Sequence, residues 1–439
     1  MLKKFFVKNL FQTFDSEINF RDDGITIVVG QNGSGKTTVL RMISILFSQN
    51  HELLLGYDFD YIECEIDDNI IKVEKFIKTI EDDEEDDLHQ VCLKYFIDGK
   101  YIGDYKNNSR INSPLFWSNN IPSLRRKTRD TLVDTQSNEV LRISEVISKY
   151  YDELDDELKE QVFPIPNEVY NILKKVSVEL ITTDRLKLEC QNAESIRTTW
   201  KYAVEECSLE LKNKIKNCLS EYANIAQILD EKFPFKVIKS IEDKKCFSID
   251  ELKQNIENTS SLREKHINSG ILEDNKGDSL SGKFEIEQLD IKTSTILYEY
   301  YLDLKIKMES LNDISDRIIL FKSIINNKLS NKKEVLVDKE NGISIIQKSK
   351  DYKINLKDLS SGEQHEIVLL YNLIFKGREN KCVLLDEPEI SLNVRWQRDF
   401  IEDIKKIISI NNIAILVATH SPQIINDNWD LVEELGEFD

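Results

Sequence analysis

The chain has 439 residues, with 59 Lys and Arg against 79 Asp and Glu, a formal charge of −20. That length holds two or three domains and a core that needs no disulfide staples, and the deep acidity excludes a protein that coats nucleic acid or anionic lipid with its whole surface. Seven scattered cysteines without a C-x-x-C pair point to reduced thiols in the cytoplasm, the N-terminal MLKKFFVKNLF lacks an apolar signal core, and apolar runs such as Ile413–Ala418 are too short for a membrane span.

Residues 1–110 alternate apolar and polar positions between turn signals at Asp23-Gly24, Asp67-Asp68-Asn69 and Asp98-Gly99, a pattern of strands and hairpins. Within them, Gly30-Gln31-Asn32-Gly33-Ser34-Gly35-Lys36-Thr37 fits G-x-x-x-x-G-K-[ST], after an apolar strand (Ile25–Val29) and before a helix expected over 37–47. Glycines let backbone N–H groups curl around phosphate oxygens, and the helix N-terminus adds the positive end of its dipole. Lys36 is placed to reach the β- and γ-phosphates of ATP and the Thr37 hydroxyl to ligate Mg2+. Gly30, Asn32, Gly33, Ser34, Gly35 and Thr38 complete the expected nucleotide-binding set. The seven consecutive acids from Glu81 to Asp87 read as a solvated loop between two strands.

No glycine occurs from 104 to 269 and no proline between Pro166 and Pro234, which suits long helices. A second breaker-free run, 283–341, carries Leu297, Tyr300, Tyr301, Leu304, Met308 and Leu311 at helical spacing. No heptad seam lasts beyond two or three turns, so a bundle is expected rather than a long coiled coil. Residues 176–182 (VSVELIT) read as a buried strand inside this region, and 335–346 as a hairpin with Asn341-Gly342 at its turn. The chain thus divides into an N-terminal lobe (1–110), a mainly helical insertion (111–334) and a C-terminal lobe (335–439).

In that last part, Lys381-Cys-Val-Leu-Leu-Asp386-Glu387-Pro388 is an apolar strand ending in two carboxylates. Asp386 is placed to hold Mg2+ through water, and Glu387 to polarise an attacking water. Leu359-Ser360-Ser361-Gly362-Glu363-Gln364 precedes a helix expected over 365–375, so Ser361 and the Gly362 N–H stand as donors at a helix N-terminus. A further strand, 413–418, leads to Thr419-His420-Ser421-Pro422, where a neutral His420 can donate to a γ-phosphate and report its loss. The other histidines, His51, His89, His266 and His365, read as surface or helix positions.

Together these motifs resemble the SMC/OLD-like branch of the ABC-type P-loop ATPases. The resemblance implies an α/β fold: an ABC-type head with a mixed or parallel core sheet and a large helical insertion. It implies ATP and Mg2+ as ligands, Thr37 and Asp386 as metal ligands, and Glu387 and His420 as the catalytic pair. It also implies a homodimer or higher homo-oligomer in which Ser361, Gly362 and Glu363 of one subunit close over the nucleotide of another. Glu389 to Gln397 resembles the D-loop of these ATPases, with Asn393 where they usually carry histidine. Thr183-Asp184-Arg185 is similar to their T-D-R-L run, and Gln90 is a candidate Q-loop glutamine.

From Lys36 to Ser360 is 324 residues, but from Ser360 to Asp386 only 26, a spacing unlike that of transporter subunits and too short for full SMC arms. The runs LSSGEQH, DEPEISL and THSPQIINDNWDL resemble the stand-alone ATPases of bacterial antiphage systems such as PARIS, Septu and the retron-associated kinds. That likeness implies a sensor or regulator ATPase acting with a separate effector, a nuclease or toxin. The alternative is a RecF- or SMC-like repair ATPase on duplex DNA, for which only 125–129 and 328–333 offer a basic track; a nucleotide-gated scaffold that does not hydrolyse is the third reading. DNA is possible but not required, no membrane partner is expected, and the expected compartment is the cytoplasm.

Overall fold

The structure, a computed structural model, describes residues 1–31, 33–48, 51–80, 88–105, 113–128, 131–135, 139–150, 154, 165–182, 186–191, 198–243, 247–274, 289–329, 332–349, 352–377 and 381–435. Asn32, the acidic run 81–87, Thr183-Asp184-Arg185, and the side chains of His89 and Gln90 lie outside the described residues. The chain forms two compact units, Met1–Thr183 with Gln191–Thr198 and Arg378–Asp439, and Asp184–Cys190 with Thr199–Gly377. These units cut across the three sequence segments: 111–183 belongs with the first unit and 335–377 with the second.

The first unit opens with β1 (Leu2–Leu10), β2 (Phe14–Asn19), β3 (Ile25–Val29), α1 (Lys36–Phe47), β4 (Tyr61–Ile66), β5 (Asn69–Ile80), β6 (Leu88–Ile97) and β7 (Lys100–Asp104). An antiparallel sheet runs β2-β1-β4-β5-β6-β7. Its period-2 patterning shows in β4, where Ile62, Cys64 and Ile66 are buried between less buried Tyr61, Glu63 and Glu65. The Asp98-Gly99 turn, with φ of +50° and +77°, joins β6 to β7 as the sequence predicts.

Short elements follow: α2 (Pro114–Asn120), β8 (Leu124–Arg126), β9 (Thr131–Asp134), β10 (Val140–Arg142), α3 (Ile143–Tyr150), α4 (Asn167–Leu173) and β11 (Ser177–Ile181). Long helices therefore do not begin at 111. Trp117, Leu124, Leu132, Val146 and Val169 are drawn into the first unit's apolar core instead. Strand β11 pairs in parallel with β17 (Lys381–Asp386). With β18 (Ala414–Ala418) and β19 (Val432–Glu434) these make a parallel sheet ordered β11-β17-β18-β3-β19. The near-continuous apolar runs of β3, β17 and β18 suit strands covered on both faces.

The second unit holds the ribbon strands β12 (Lys187–Gln191) and β13 (Thr198–Tyr202), then α5 (Ala203–Glu242), α6 (Ile249–Ser269), α7 (Ile291–Glu309) and α8 (Asn312–Lys328). After them come β14 (Lys333–Asp338), β15 (Gly342–Gln347), β16 (Tyr352–Ile354) and α9 (Ser361–Phe375); the predicted 335–346 hairpin is β14–β15. Helix α5 has 40 residues and carries Pro234 in its interior.

Apolar spacing named only part of α7's buried face. Tyr301 and Met308 are buried, but so are Thr295, Glu299 and Asp303, while Tyr300 is exposed. The facing side of α5 is polar too: Ser240 donates to Glu299 at 2.6 Å, and Lys236 pairs with Asp303.

Two histidines read as surface or helix positions are fully buried because backbone carbonyls claim them. His266 bonds the Met308 carbonyl through Nε2 (2.9 Å) and the Ser315 hydroxyl through Nδ1 (2.7 Å). His51 meets the Leu46 carbonyl at 2.6 Å and the Tyr95 hydroxyl at 2.8 Å. Burial holds the His51 imidazole down to a pKa of about 4. The α/β architecture with mixed sheets and a large helical insertion is the one expected of an ABC-type head. The remaining segment of the first unit adds α10 (Val394–Asn411) and α11 (Pro422–Ile425).

Candidate nucleotide site

Three adjacent parallel strands, β17, β18 and β3, bring their carboxyl ends together, the place where open α/β sheets bind ligands. From β3 the chain enters the glycine-rich loop. Gly33 and Gly35 have φ of +89° and +80°, a region that costs other residues about 1–2 kcal/mol, and a Cβ on Gly35 would stand 2.9 Å from the Phe14 ring. Gly35 caps α1 without a side chain. Val39 is the first residue of the helix to find a backbone acceptor here, Gly35 O at 2.8 Å, so the N–H groups of Lys36, Thr37 and Thr38 have no intrahelical partner.

Lys36 is buried and curls back on the loop, donating to the Gly30 and Gln31 carbonyls at 2.9 and 3.1 Å. Burial lowers its pKa, against the pull of Glu387, Asp386 and Glu389. The Thr37 hydroxyl donates to Asp386 Oδ1 at 3.0 Å. Burial raises the Asp386 pKa, opposed by that hydrogen bond and by the charges of Arg41 and Lys36. A hydroxyl and a carboxylate meeting beside open N–H donors form a hard-oxygen set that suits hydrated Mg2+ and a phosphate chain.

Glu387 follows Asp386 in a left-handed conformation, φ 43° and ψ 58°, with its N–H on the Ala418 carbonyl at 2.9 Å. Strained backbone of this kind is held in place by its surroundings and clusters at working sites. The Glu387 Oε1 lies 3.7 Å from His420 Nε2, each side chain about one-third exposed. The structure therefore brings Gly30, Gly33, Ser34, Gly35, Lys36, Thr37, Thr38, Asp386, Glu387 and His420 into one unit. Asn393 accepts from the Trp396 N–H at 3.1 Å and caps α10, which gives it a structural task. The D-loop resemblance named Glu389 without giving it a role; its carboxylate accepts from the Thr419 hydroxyl and from the His420 N–H.

The Ser361-Gly362 motif lies in the second unit. There Ser360 and Glu363 form a capping box: Glu363 Oε2 accepts from the Ser360 N–H at 3.0 Å, and Ser360 Oγ accepts from the Glu363 N–H at 3.4 Å. Lys333 donates to both Glu363 oxygens at 2.8 and 2.9 Å. Burial works against the Glu363 charge, but the bonds from Lys333 and Ser360 prevail and hold its carboxyl below the ordinary value. Glu363 is thus engaged in holding the helix end, leaving the exposed Ser361 and the Gly362 N–H as donors.

The two basic tracks fare differently. In 328–333, Lys328 forms a buried ion pair with Glu366 at 2.9 Å and Lys333 is bound to Glu363, while Lys332 is exposed. Arg125, Arg126 and Lys127 are exposed, and Arg129 lies outside the described residues.

A family profile described as AAA ATPase domain matches residues 1–425. No curated protein matches the chain. Among solved structures, the Smc head domain with an extended coiled coil bound to the C-terminal domain of ScpA, derived from Pyrococcus furiosus, is 14% identical, with 97% of this chain and 90% of that chain covered and a TM-score of 0.37. The SMC head domain from Thermotoga maritima is 12% identical, with 99% and 94% covered and a TM-score of 0.32. A SmcHead bound to the C-winged helix domain of ScpA is 11% identical, with 97% and 91% covered and a TM-score of 0.35. TM-scores this low leave the likenesses without weight for this chain's activity. Among the described residues, no helix is long and apolar enough to cross a membrane.

Proposed function

The chain belongs to the AAA ATPase domain family, and from that premise we propose that it binds and hydrolyses ATP at Mg2+-dependent sites completed by two copies of the chain. The observation that supports this best is the convergence of Lys36, the Thr37–Asp386 pair and the Glu387–His420 pair at the ends of three neighbouring strands. Lys36 exchanges its loop carbonyls for phosphate oxygens, and the α1 N–H groups take the rest of the phosphate charge. Thr37 and Asp386 would hold Mg2+, which would supply charge neutralisation at the phosphates. Glu387 accepts the proton of the attacking water, and His420 donates to the γ-phosphate. Ser361 and the Gly362 N–H of the second copy close the site, a geometry suggested by the family resemblance of the motif.

The test is phosphate release by purified protein with Mg2+. Glu387→Gln is expected to keep ATP binding and to slow turnover by roughly two to four orders of magnitude, the usual worth of a general base. Turnover at the wild-type rate would remove Glu387 from the reaction.

For the cellular setting, the SMC- or RecF-like reading takes precedence over the antiphage regulator with a separate effector. What favours it is helix α5, about 60 Å long by its 40 residues, with no buried residue from 216 to 239. A long, largely exposed helix packed on α7 suits an arm on an ATP-driven head, whereas the antiphage reading rests on motif resemblance alone. DNA binding that weakens steeply with salt and is lost on replacing Arg125 and Arg126 with Ala supports this reading. Toxicity that appears only with a second protein would favour the other.

A further inference from the structure

Glu389 sits in the turn after β17, outside the glycine-rich loop and the Asp386-Glu387 pair, yet its carboxylate is the hub of the His420 loop. Its Oε1 accepts from the Thr419 hydroxyl at 2.7 Å and from the His420 backbone N–H at 2.8 Å. Thr419 is fully buried, and its hydroxyl in turn accepts from the Ser421 N–H at 2.9 Å. Gln397 ties the same two loops from the other side. It accepts from the Ser421 hydroxyl at 2.7 Å and donates to the Leu392 carbonyl at 2.9 Å.

The second Glu389 oxygen is buried and has no hydrogen-bond partner among the described residues. An ionised group left half-satisfied costs stability that a neutral residue would not lose. Two N–H or O–H donors on one carboxylate oxygen, by contrast, form strong charge-assisted bonds that fix a loop in place. The loop so fixed carries the imidazole that faces Glu387 at 3.7 Å.

We propose that Glu389 is a positioning residue for ATP hydrolysis: through Thr419 and the His420 N–H it sets the His420 ring against Glu387 and couples the turn after β17 to that histidine. This rests on the ATPase reading above, and it adds to that reading a residue that acts through His420.

The experiment compares Glu389→Ala, Glu389→Gln, His420→Ala and the Glu389→Ala/His420→Ala double variant in the full chain. Glu389→Ala is expected to lower kcat about tenfold or more, the worth of a charged hydrogen bond, with ATP affinity within about twofold of wild type. Glu389→Gln keeps an acceptor oxygen and recovers most of the turnover. Because Glu389 acts through His420, the double variant is no slower than His420→Ala alone. A second measurement needs no turnover. In NMR spectra, the His420 imidazole signals, identified by their loss in His420→Ala, move in Glu389→Ala and hold in Glu389→Gln, while those of His51 and His266 stay in place. Should Glu389→Ala fail to fold, Thr419→Val removes the hydroxyl arm of the bridge and displaces the His420 signals in the same direction. Multiplying effects in the double variant, or His420 signals that do not move, overturn the inference. Displaced His420 signals in a chain that hydrolyses no ATP would sink the ATPase reading and leave the positioning of His420 standing.

Discussion

Helix α1 begins at Gly35 with no side chain over its first turn, whereas α9 begins at Ser360 with a serine and a glutamate capping each other. The open end pairs free N–H groups with a buried lysine that donates to its own loop, the Gly30 and Gln31 carbonyls and the Ser34 hydroxyl. The closed end spends its donors internally and neutralises its acid with Lys333. An open terminus gains its missing hydrogen bonds from an anion, so it binds. A capped terminus is stable alone and presents a rigid edge with few donors, so it suits closing over a ligand held elsewhere. The far ends differ as well. The Leu46 carbonyl near the end of α1 meets His51, an imidazole, while the Ile374 carbonyl of α9 accepts from the Arg317 guanidinium.

The largest effects should come from breaking each terminus in its own way. Lys36→Ala is expected to weaken ATP binding about 100-fold, the loss of charge-assisted bonds to phosphate, as read by equilibrium binding. Ser361→Arg should leave binding to the isolated subunit intact and abolish turnover. Mixing the two variants then restores part of the activity, because one site in each mixed dimer joins an intact Lys36 to an intact Ser361. No recovery in proven dimers would show that the two termini do not meet across copies.

A smaller effect should separate the far ends by pH. The folded His51 pKa of about 4 lies below its unfolded value near 6.5, so the unfolded chain binds the extra proton. Stability from this site is full above pH 6.5 and falls as pH drops toward 4. Between pH 7 and pH 5 the loss is about 2 kcal/mol. Urea unfolding at both pH values measures it, and His51→Asn should remove that part of the dependence. The same loss in His51→Asn would assign it to other groups.

The smallest effect tests the cap itself. Glu363→Ala removes the capping box and should cost about 1 kcal/mol in unfolding free energy, with ATP affinity unchanged. A large drop in affinity instead would mean that Glu363 serves the nucleotide more than the helix.

The glycine-rich loop, the Asp386-Glu387 pair and the Ser361 motif were legible in the sequence because the chemistry proposed for them needs neighbouring residues in fixed order: a strand, a turn and a helix start. Alternation and turn residues likewise announced β4 to β7, since side-chain period and turn geometry are local properties. Tertiary contact decided what distant partners decide. Residues 177–181 read as a strand within the helical segment but form the edge of the ATPase sheet, because their partner β17 lies some 200 residues along the chain. The absence of glycine from 104 to 269 permits helices without requiring them, and Trp117 and Leu132 chose the first unit's core. Burial of Glu299 and Asp303 on α7, and of His51 and His266, depends on a lysine, hydroxyls and carbonyls far along the chain, which no periodicity reveals. So too with Glu389: its place beside Thr419 and His420 exists only once β17 and β18 lie side by side, since a hydrogen bond across 30 residues is a property of the sheet and not of the run of letters.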